Sequence, residues 1–337
     1  MSQNLKTVLK LVVSLGLAGA FLWAAFQDVE LHTFWRAIRD AQPFWLILSA
    51  LLLVLSNLPR AWRWLILMAP ISRQISLRRA FTALLIGYAA NNLLPRAGEV
   101  ARAVAIKQDQ DLPLSGLLAT VLVERVLDVL TLLLLFGIIL FAFRSDISDA
   151  FPWMEGVGLV AFAFTFLLLA LFGILSAYGD RVLGPLGRAF GRISQPLADR
   201  LTEMLRAFFL GMGSVRSPAG YAEIALSTLL LNGIYLLVVY LVYLSFHFPE
   251  QYGLDLATAL VVMVISTVGI IIPTPGGTGT YHFFCSQTLY QLYGVPKPQA
   301  LAFATALHGI SYFTLLISGG PGLLNLFWRR KPETRSP

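Results

Sequence analysis

A long apolar stretch in the middle of the chain decides its structural class. Residues 115–143 read SGLLATVLVERVLDVLTLLLLFGIILFAF, with charges at only three positions, Glu124, Arg125 and Asp128. About 20 predominantly apolar residues are enough for a helix to cross the hydrocarbon core of a bilayer. The stretch therefore predicts a transmembrane helix that carries charged side chains near the middle of the membrane.

The composition of the whole chain extends this prediction. Of its 337 residues 57% are hydrophobic and only 13% are charged, against about 25% charged residues in soluble domains. The single cysteine, Cys285, excludes a secreted disulfide scaffold, and 12% aromatic residues exclude disorder. The net charge of +7 does not indicate nucleic-acid binding, because no soluble basic segment is interleaved with aromatic residues. We predict an all-α, polytopic helical membrane protein with no nucleic-acid partner.

Six segments are predicted to span the membrane, at residues 8–26, 44–58, 115–143, 156–177, 219–246 and 299–327. The second is expected to continue through Trp62, Trp64 and Leu67 near the interface. Two further apolar segments, 80–107 and 256–293, are broken at Pro95-Arg-Ala-Gly98 and at Pro273-Thr-Pro-Gly-Gly-Thr-Gly279. Broken backbone at membrane depth is tolerated only where it is buried in protein or lines a wet cavity. Both segments are therefore predicted to be re-entrant helical hairpins. The more polar segment 178–218 is predicted to be an amphipathic helix on the inner surface.

The distribution of basic residues predicts that both termini are cytoplasmic. With this topology, twenty of the 25 Lys and Arg residues lie inside, including Arg60 and Arg63 in a loop at 59–79. Four lie outside, and Arg125 lies within a span. Cytoplasmic loops carry such an excess of Lys and Arg. Because apolar sequence continues past Ala20, the first segment is predicted to be an uncleaved span rather than a signal peptide.

The layout of the chain predicts an inverted repeat within a single transmembrane domain, residues 1–337. Residues 8–143 and 156–328 each contain two spans, a broken hairpin and a long span with a polar patch. Three crossings precede the second half, so its orientation is predicted to be reversed. This plan is typical of secondary transporters. A duplication without a transport role is the alternative.

The charges in the third predicted span allow two interpretations. Glu124 lies about 14 Å into its helix, where a charge costs about 2.5–3.5 kcal/mol. Arg125 and Asp128 are three residues apart and can pair. The group is either a structural ion-pair lock between helices or a source of charge for a polar substrate.

The first hairpin adds a polar set, namely Asn91, Asn92, Arg96, Glu99 and Arg102. Helix N-termini after Pro95 and Gly279 favour anions such as phosphate, for which the planar arginine fork is well suited. The alternatives are that Arg96 and Arg102 extend to the cytoplasmic interface and that the asparagines cap a broken helix.

Two histidines, His282 and His308, are predicted to lie within the membrane. They are candidates for a proton relay, or for a neutral hydrogen-bonded pair. Two ligands without a third do not indicate a metal site, and we expect neither a metal nor a cofactor. The glycines at 276–279 do not form a P-loop, because no Lys-Ser/Thr follows them.

The order and spacing of these motifs resemble the flippase-like transmembrane domain family. The matching motifs are Pro95-Arg-Ala-Gly-Glu99, Arg102, Glu124-Arg125…Asp128 and Pro273-Thr-Pro-Gly-Gly-Thr-Gly279. The family includes the membrane part of lysylphosphatidylglycerol synthase, also called multiple peptide resistance factor, and the resemblance runs from about residue 8 to 328. It implies a plasma-membrane protein that moves a lipid between leaflets.

Two features set this chain apart from the synthase. The sequence ends nine residues after Trp328, so we expect no soluble synthase domain and no lysyl transfer. Many family members have a Glu after the second Gly-rich break and an Arg in the last span, where this chain has His282 and His308. The difference implies another cargo or proton coupling.

These observations predict a lipid or lipid-linked headgroup translocator that is not an enzyme and binds an anionic phospholipid headgroup in a midplane cavity. The predicted substrate-binding residues are Asn91, Asn92, Arg96, Glu99, Arg102, Glu124, Arg125, Asp128, Pro273, Gly276, Gly277, Gly279, Tyr281, His282, His308 and Tyr312. The alternatives are a transporter of a small polar solute, a membrane-embedded lipid-phosphate enzyme with a histidine base, and a scaffold. Membrane lipids are the expected partners, with a homo-oligomer and a separate lipid-modifying enzyme left open.

Overall fold

The computed structural model describes residues 3–94, 96–110, 112–143, 218–272 and 274–328, with isolated positions between 156 and 195. The five continuous ranges form twelve α-helices and one short 3-10 helix and contain no strand, which confirms the all-α class. The predicted span at 156–177 and the predicted amphipathic helix at 178–218 fall mostly outside the described residues.

The helices follow one another with short connections. They are α1 (Gln3–Phe26), α2 (Leu31–Asp40), α3 (Pro43–Leu55), α4 (Asn57–Met68), α5 (Leu77–Leu93), α6 (Ala97–Asp109), α7 (Leu114–Ala142), α8 (Pro218–Ser245), α9 (Phe248–Tyr252), α10 (Leu256–Ile271), α11 (Thr280–Tyr293) and α12 (Lys297–Trp328). The 3-10 helix, Pro275–Gly277, lies between α10 and α11.

Four helical segments of the described chain are long and apolar enough to cross a membrane. They are Pro43–Met68, which joins α3 and α4, then Leu114–Ala142, Ala219–Ser245 and Lys297–Trp328. The end of α1 and the whole of α2 pass the same test only together, and they are bent by 90°. Five of the six predicted spans therefore coincide with apolar helices, as expected for a polytopic membrane protein.

The second span continues past residue 58, as predicted from Trp62, Trp64 and Leu67, since α4 extends to Met68. The predicted loop at 59–79 is wrong at its start, where α4 buries Arg60 and Arg63. Pro59 has no N–H to donate to the preceding turn, which accounts for the helix break at Ser56. Arg102, which the predicted topology also places among the twenty cytoplasmic basic residues, is buried as well.

Each predicted hairpin is a pair of helices packed along each other. In the first, α5 and α6 touch through their backbones, since a Cβ at Gly98 would overlap the carbonyl oxygen of Gly87. In the second, α10 and α11 pack closely enough that a Cβ at Gly269 would lie 2.8 Å from Phe284 Cδ2. The two helix breaks are confirmed, while the inverted relation between residues 8–143 and 156–328 stays a prediction.

The long helix α12 holds the first hairpin in place. A Cβ at Gly319 would overlap the carbonyl oxygen of Leu85, so α12 and α5 are also in backbone contact. A Cβ at Gly279 would likewise lie 2.4 Å from the carbonyl oxygen of Ala18 on α1. Glycines thus bring both hairpins into backbone contact with long helices.

Candidate functional site

The buried carboxylate of Glu124 on α7 gathers three arginines from two other helices. Its Oε1 lies 3.1 Å from Arg60 Nη1 and 3.6 Å from Arg63 Nη2, both on α4. Its Oε2 lies 2.6 Å from Arg102 Nη1 on α6. Glu124 is 0% exposed and Arg63 is 1% exposed. One carboxylate therefore connects α4, α6 and α7 in the interior.

Asp128, one helical turn further along α7, extends the same network. Its Oδ2 is 3.2 Å from Arg60 Nη2, and its Oδ1 accepts a hydrogen bond from Arg63. Arg63 also donates to Thr228 on α8, at 3.2 Å. The predicted pairing of Arg125 with Asp128 is confirmed, at 3.6 Å between Nη1 and Oδ2. All the carboxylate contacts of Asp128 are thus with arginines of α4 and α7.

The most open part of this network joins α7 to α6. Arg125 Nη2 lies 2.9 Å from Glu99 Oε1, and the two side chains are 39% and 26% exposed. We call the whole group the charge cluster, and it consists of Arg60, Arg63, Glu99, Arg102, Glu124, Arg125 and Asp128. Four arginines face three carboxylates, so the formal charge of the cluster is +1.

Some buried polar atoms of the charge cluster lack a hydrogen-bond partner, and more of these are donors than acceptors. Among the described residues, Nε and Nη2 of Arg102 lack a hydrogen-bond partner, as do the Nε atoms of Arg60, Arg63 and Arg125. On the acceptor side, Glu99 Oε2 lacks one, and Asp128 Oδ2 has ion-pair contacts with Arg60 and Arg125 but no hydrogen bond. A buried donor left unpaired costs about 1–3 kcal/mol. Additional acceptor atoms would therefore stabilise the arginine side of the cluster.

A tryptophan fixes the position of Arg102. The Arg102 guanidinium carbon lies 4.9 Å from the centre of the Trp64 ring, a cation–π distance. Trp64 is held in turn by a hydrogen bond of 2.9 Å from Nε1 to Thr120 Oγ1 on α7. These contacts hold the guanidinium in one orientation.

A small crevice borders the charge cluster. Its lining residues are Arg60, Leu84, Gly87, Tyr88, Asn91, Gly98, Arg102 and Arg125. The volume is about 10 Å³, close to the least that one water molecule needs. Arginines from three helices converge on a space that is closed to anything larger.

The break in the first hairpin is stabilised by its two asparagines. Asn91 Oδ1 accepts the N–H of Gly98 at 2.7 Å, so the capping alternative is confirmed for this residue. Asn92 Nδ2 donates to the carbonyl oxygen of Tyr312 on α12 at 2.9 Å, and the Tyr312 hydroxyl donates to the Asn92 carbonyl oxygen at 3.3 Å. This reciprocal contact ties the break to the middle of α12.

Arg96 lies apart from the charge cluster. It precedes α6 in the left-handed conformation, with φ of 64°, and its side chain is exposed. Among the described side chains it forms no ion pair with the cluster. Arg102, one and a half turns into α6, is the arginine of this hairpin that the structure brings to Glu124.

The break in the second hairpin depends on backbone geometry. Gly276, Gly277 and Gly279 have φ values of 58°, 76° and 87°, a region that glycine adopts without strain. The hydroxyls of Thr274 and Thr280 are 3.1 Å apart across the turn. Pro273 lies outside the described residues. The turn contains no charged side chain among its described residues.

The two histidines come together next to this turn. The ring centres of His282 and His308 are 4.9 Å apart, and His282 Nδ1 accepts the N–H of Gly279 at 3.4 Å. The ring of His308 is 5.3 Å from that of Tyr281 and 6.4 Å from that of Tyr312. We call these four residues the aromatic cluster. It meets the first hairpin through Tyr312.

Nine of the sixteen predicted site residues lie in these two groups. Glu99, Arg102, Glu124, Arg125 and Asp128 belong to the charge cluster, and Tyr281, His282, His308 and Tyr312 form the aromatic cluster. Sequence reasoning missed Arg60, Arg63 and Trp64. Their spacing of three and four residues, on a helix continuous with a span, was the available signal that they share a face.

The family model described as "Lysylphosphatidylglycerol synthase TM region" matches residues 8–319. The chain belongs to this family. The resemblance inferred from its motifs is confirmed, and no solved structure matches.

The curated relatives of this family member include archaeal membrane proteins. A UPF0104 membrane protein of Methanothermobacter thermautotrophicus is 24% identical over 306 residues, covering 86% of this chain and 88% of the relative. UPF0104 membrane protein MJ1595 of Methanocaldococcus jannaschii is 22% identical over 328 residues, covering 93% of each. A relative named Glycosyltransferase AglD, of Haloferax volcanii, is 24% identical over 326 residues, covering 86% of this chain and 50% of the relative.

Proposed function

We propose that the protein moves the headgroup of an anionic lipid, or of a lipid-linked compound, between the leaflets of a membrane, and that it is not an enzyme. The observation that carries the proposal is the excess positive charge of the charge cluster inside a bundle of apolar helices. Charges at this depth are costly, and they mark substrate pathways in membrane proteins. A lipid phosphate would supply both the missing negative charge and the missing acceptor atoms.

The alternative of a purely structural lock accounts less well for the cluster. A lock is most stable when its charges are matched and its hydrogen bonds are complete. Here four arginines face three carboxylates, and Arg102 has two buried nitrogen atoms with no partner among the described residues. The arginine excess favours an anion as a further component.

Arg125 and Glu99 are the proposed point of access. They are the most exposed ion pair of the cluster, and only one short contact joins them. In this proposal a phosphate takes the place of Glu99 beside Arg125 and then reaches Arg102. Because the crevice is close to the size of one water molecule, α6 must move away from α7 for the headgroup to enter.

The proposed setting is the plasma membrane, with both termini in the cytoplasm and anionic phospholipids as partners. Removing Arg60, Arg63 and Arg102 from the cytoplasmic basic residues still leaves a strong excess on that side. A homo-oligomer and a separate lipid-modifying enzyme are compatible with this arrangement.

The test is lipid movement in reconstituted vesicles. Vesicles containing the protein and a phosphatidylglycerol with a fluorescent acyl chain are treated with a membrane-impermeant reductant, which bleaches only the outer leaflet. With the native protein we expect complete bleaching, because lipid from the inner leaflet reaches the outer one in a second phase. With Arg102→Gln this second phase should be at least tenfold slower. A phosphatidylcholine probe reports whether the anionic headgroup is preferred.

Two variants serve as controls. Arg102→Lys keeps the charge but loses the planar fork, so intermediate activity is expected. Arg39→Gln removes an exposed charge in the last turn of α2, a helix that contributes no residue to the charge cluster. It should leave the rate of lipid movement unchanged. Unaltered movement with a folded Arg102→Gln protein would overturn the proposal.

A membrane-embedded enzyme is the second candidate, because two histidines and a tyrosine lie together beside a broken helix. One relative is also named a glycosyltransferase. Mass spectrometry of the vesicle lipids before and after incubation separates the two functions. A new lipid mass that is lost with His308→Gln would favour the enzyme, and unchanged masses during rapid lipid movement favour the translocator.

A further inference from the structure

A second and larger cavity lies at the opposite end of the first hairpin. The start of α5, the end of α6 and the end of α12 enclose a volume of about 450 Å³. We call it the end cavity, and its polar lining includes Arg78, Arg79, Thr82, Gln108, Gln110 and Asn325. Ligand-binding pockets typically measure about 300–1,000 Å³. The end cavity is therefore large enough for a lipid headgroup, unlike the crevice beside the charge cluster.

The end cavity is distinct from the charge cluster. Leu326 lines the cavity, whereas Tyr312, on the same helix, contacts the break of the first hairpin. Fourteen residues of α-helix separate these positions by about 21 Å. None of the seven residues of the charge cluster lines the cavity.

The electrostatics of the end cavity favour an anion. Arg78 and Arg79 contribute two positive charges, and no acidic residue is part of the described lining. Both arginines lie in the first turn of α5, which has no acidic residue there, and Ser76 Oγ caps this helix by accepting the N–H of Arg79 at 3.3 Å. The partial positive charge of a helix N-terminus adds to that of the two arginines.

The remainder of the lining is largely apolar. Ala83, Ile86, Ile106 and Leu326 contribute to the walls. Apolar walls beside two arginines suit a ligand that joins a phosphate to an apolar part, as a lipid does.

We infer that the end cavity binds the phosphate of an anionic lipid from the leaflet at that end of the molecule. Two arginines at a helix start provide the phosphate contacts, and the apolar wall provides those to the glycerol and the first acyl carbons. The inference does not depend on lipid movement, because occupancy of this site requires no opening of the crevice.

Native mass spectrometry tests this inference. The full-length protein in detergent is titrated with phosphatidylglycerol, and bound lipids are counted. In the double variant Arg78→Gln/Arg79→Gln, we expect one of the bound phosphatidylglycerol molecules to bind about tenfold more weakly. The matched control is Arg73→Gln/Lys107→Gln, which removes the same charge from exposed positions outside the cavity and should bind as the native protein does.

A second variant keeps both arginines but fills the space. Thr82 is exposed and lines the cavity, so Thr82→Trp should exclude the lipid while leaving the charge unchanged. Equal binding by native protein, Arg78→Gln/Arg79→Gln and Thr82→Trp would overturn the inference.

Two further arms identify the ligand and separate this site from the proposed function. Glycerol 3-phosphate and inorganic phosphate at millimolar concentration should not displace the lipid. Displacement would identify a site for soluble phosphates and overturn the lipid assignment. Arg102→Gln should stop lipid movement and yet retain binding in the end cavity, so either proposal can fail without the other.

Discussion

The two hairpins of the bundle differ in what surrounds and stabilises their helix breaks. The first break, after Leu93, adjoins a network of seven charged side chains, and Asn91 caps the helix that follows. The second break, after Ile271, relies on three glycines with positive φ and lies beside the rings of the aromatic cluster. Charge density, and with it the expected affinity for an anion, is concentrated at the first hairpin. The second hairpin instead depends on backbone conformation and ring packing.

The largest difference should come from Glu124→Gln, which removes the charge that connects three arginines. Breaking a buried ion pair by removing one partner costs about 3–5 kcal/mol. We expect the free energy of unfolding in detergent, measured by tryptophan fluorescence, to fall by this amount. Glu223→Gln, an exposed substitution on α8, is the matched control and should change little. A neutral result for Glu124→Gln would remove the contrast between the hairpins.

Gly98→Ala tests the packing of the first hairpin without altering its charge. A Cβ at this position would overlap the Gly87 carbonyl oxygen and approach Asn91 Cγ to 2.6 Å. Overpacking of this kind costs about 1–3 kcal/mol, and thermal unfolding should report it. Gly309→Ala on α12, where no atom lies within 4 Å of the added Cβ, should instead leave the unfolding temperature near its native value.

His308→Gln addresses the second hairpin. The side chain contacts rings rather than charges, and the replacement is neutral and polar. We therefore expect a loss of stability below about 1.5 kcal/mol, typical of a tolerated change in packing. Unfolding curves of His308→Gln and Glu124→Gln measured side by side give the comparison. A loss as large as that of Glu124→Gln would show that the aromatic cluster is as important for stability as the charge cluster.

The smallest effect is expected at the surface pair Lys297 and Asp28. Nζ and Oδ2 are 3.7 Å apart, and Asp28 is 75% exposed. Exposed pairs contribute at most about 1 kcal/mol, so Lys297→Gln should alter neither stability nor lipid movement measurably. Its unfolding curve sets the lower limit against which the hairpin variants are judged, and a clear shift would show that α12 is more sensitive at its start than its exposure indicates.

Much of the fold could be predicted from the sequence because its signals are local. Runs of apolar residues set the helices, and Pro and Gly set both breaks. The partners of Glu124 could not be predicted, since Arg60 lies 64 positions away. An arginine just past an apolar run has the same appearance in sequence whether it faces the cytoplasm or a buried carboxylate. For the same reason Arg96 was grouped with Arg102, although only Arg102 joins the charge cluster.

The glycine contacts of α5 have a mechanical consequence. Gly98 brings α6 against the backbone of α5, and Gly319 brings α12 against its other side. Backbones in direct contact have no side chains between them that could change rotamer and absorb sliding. We therefore expect α5, α6 and α12 to move as one rigid body. The ion pairs between α6 and α7 lie at the boundary of that body. A displacement at these ion pairs would then move the end cavity as well, because the cavity lies between the same three helices.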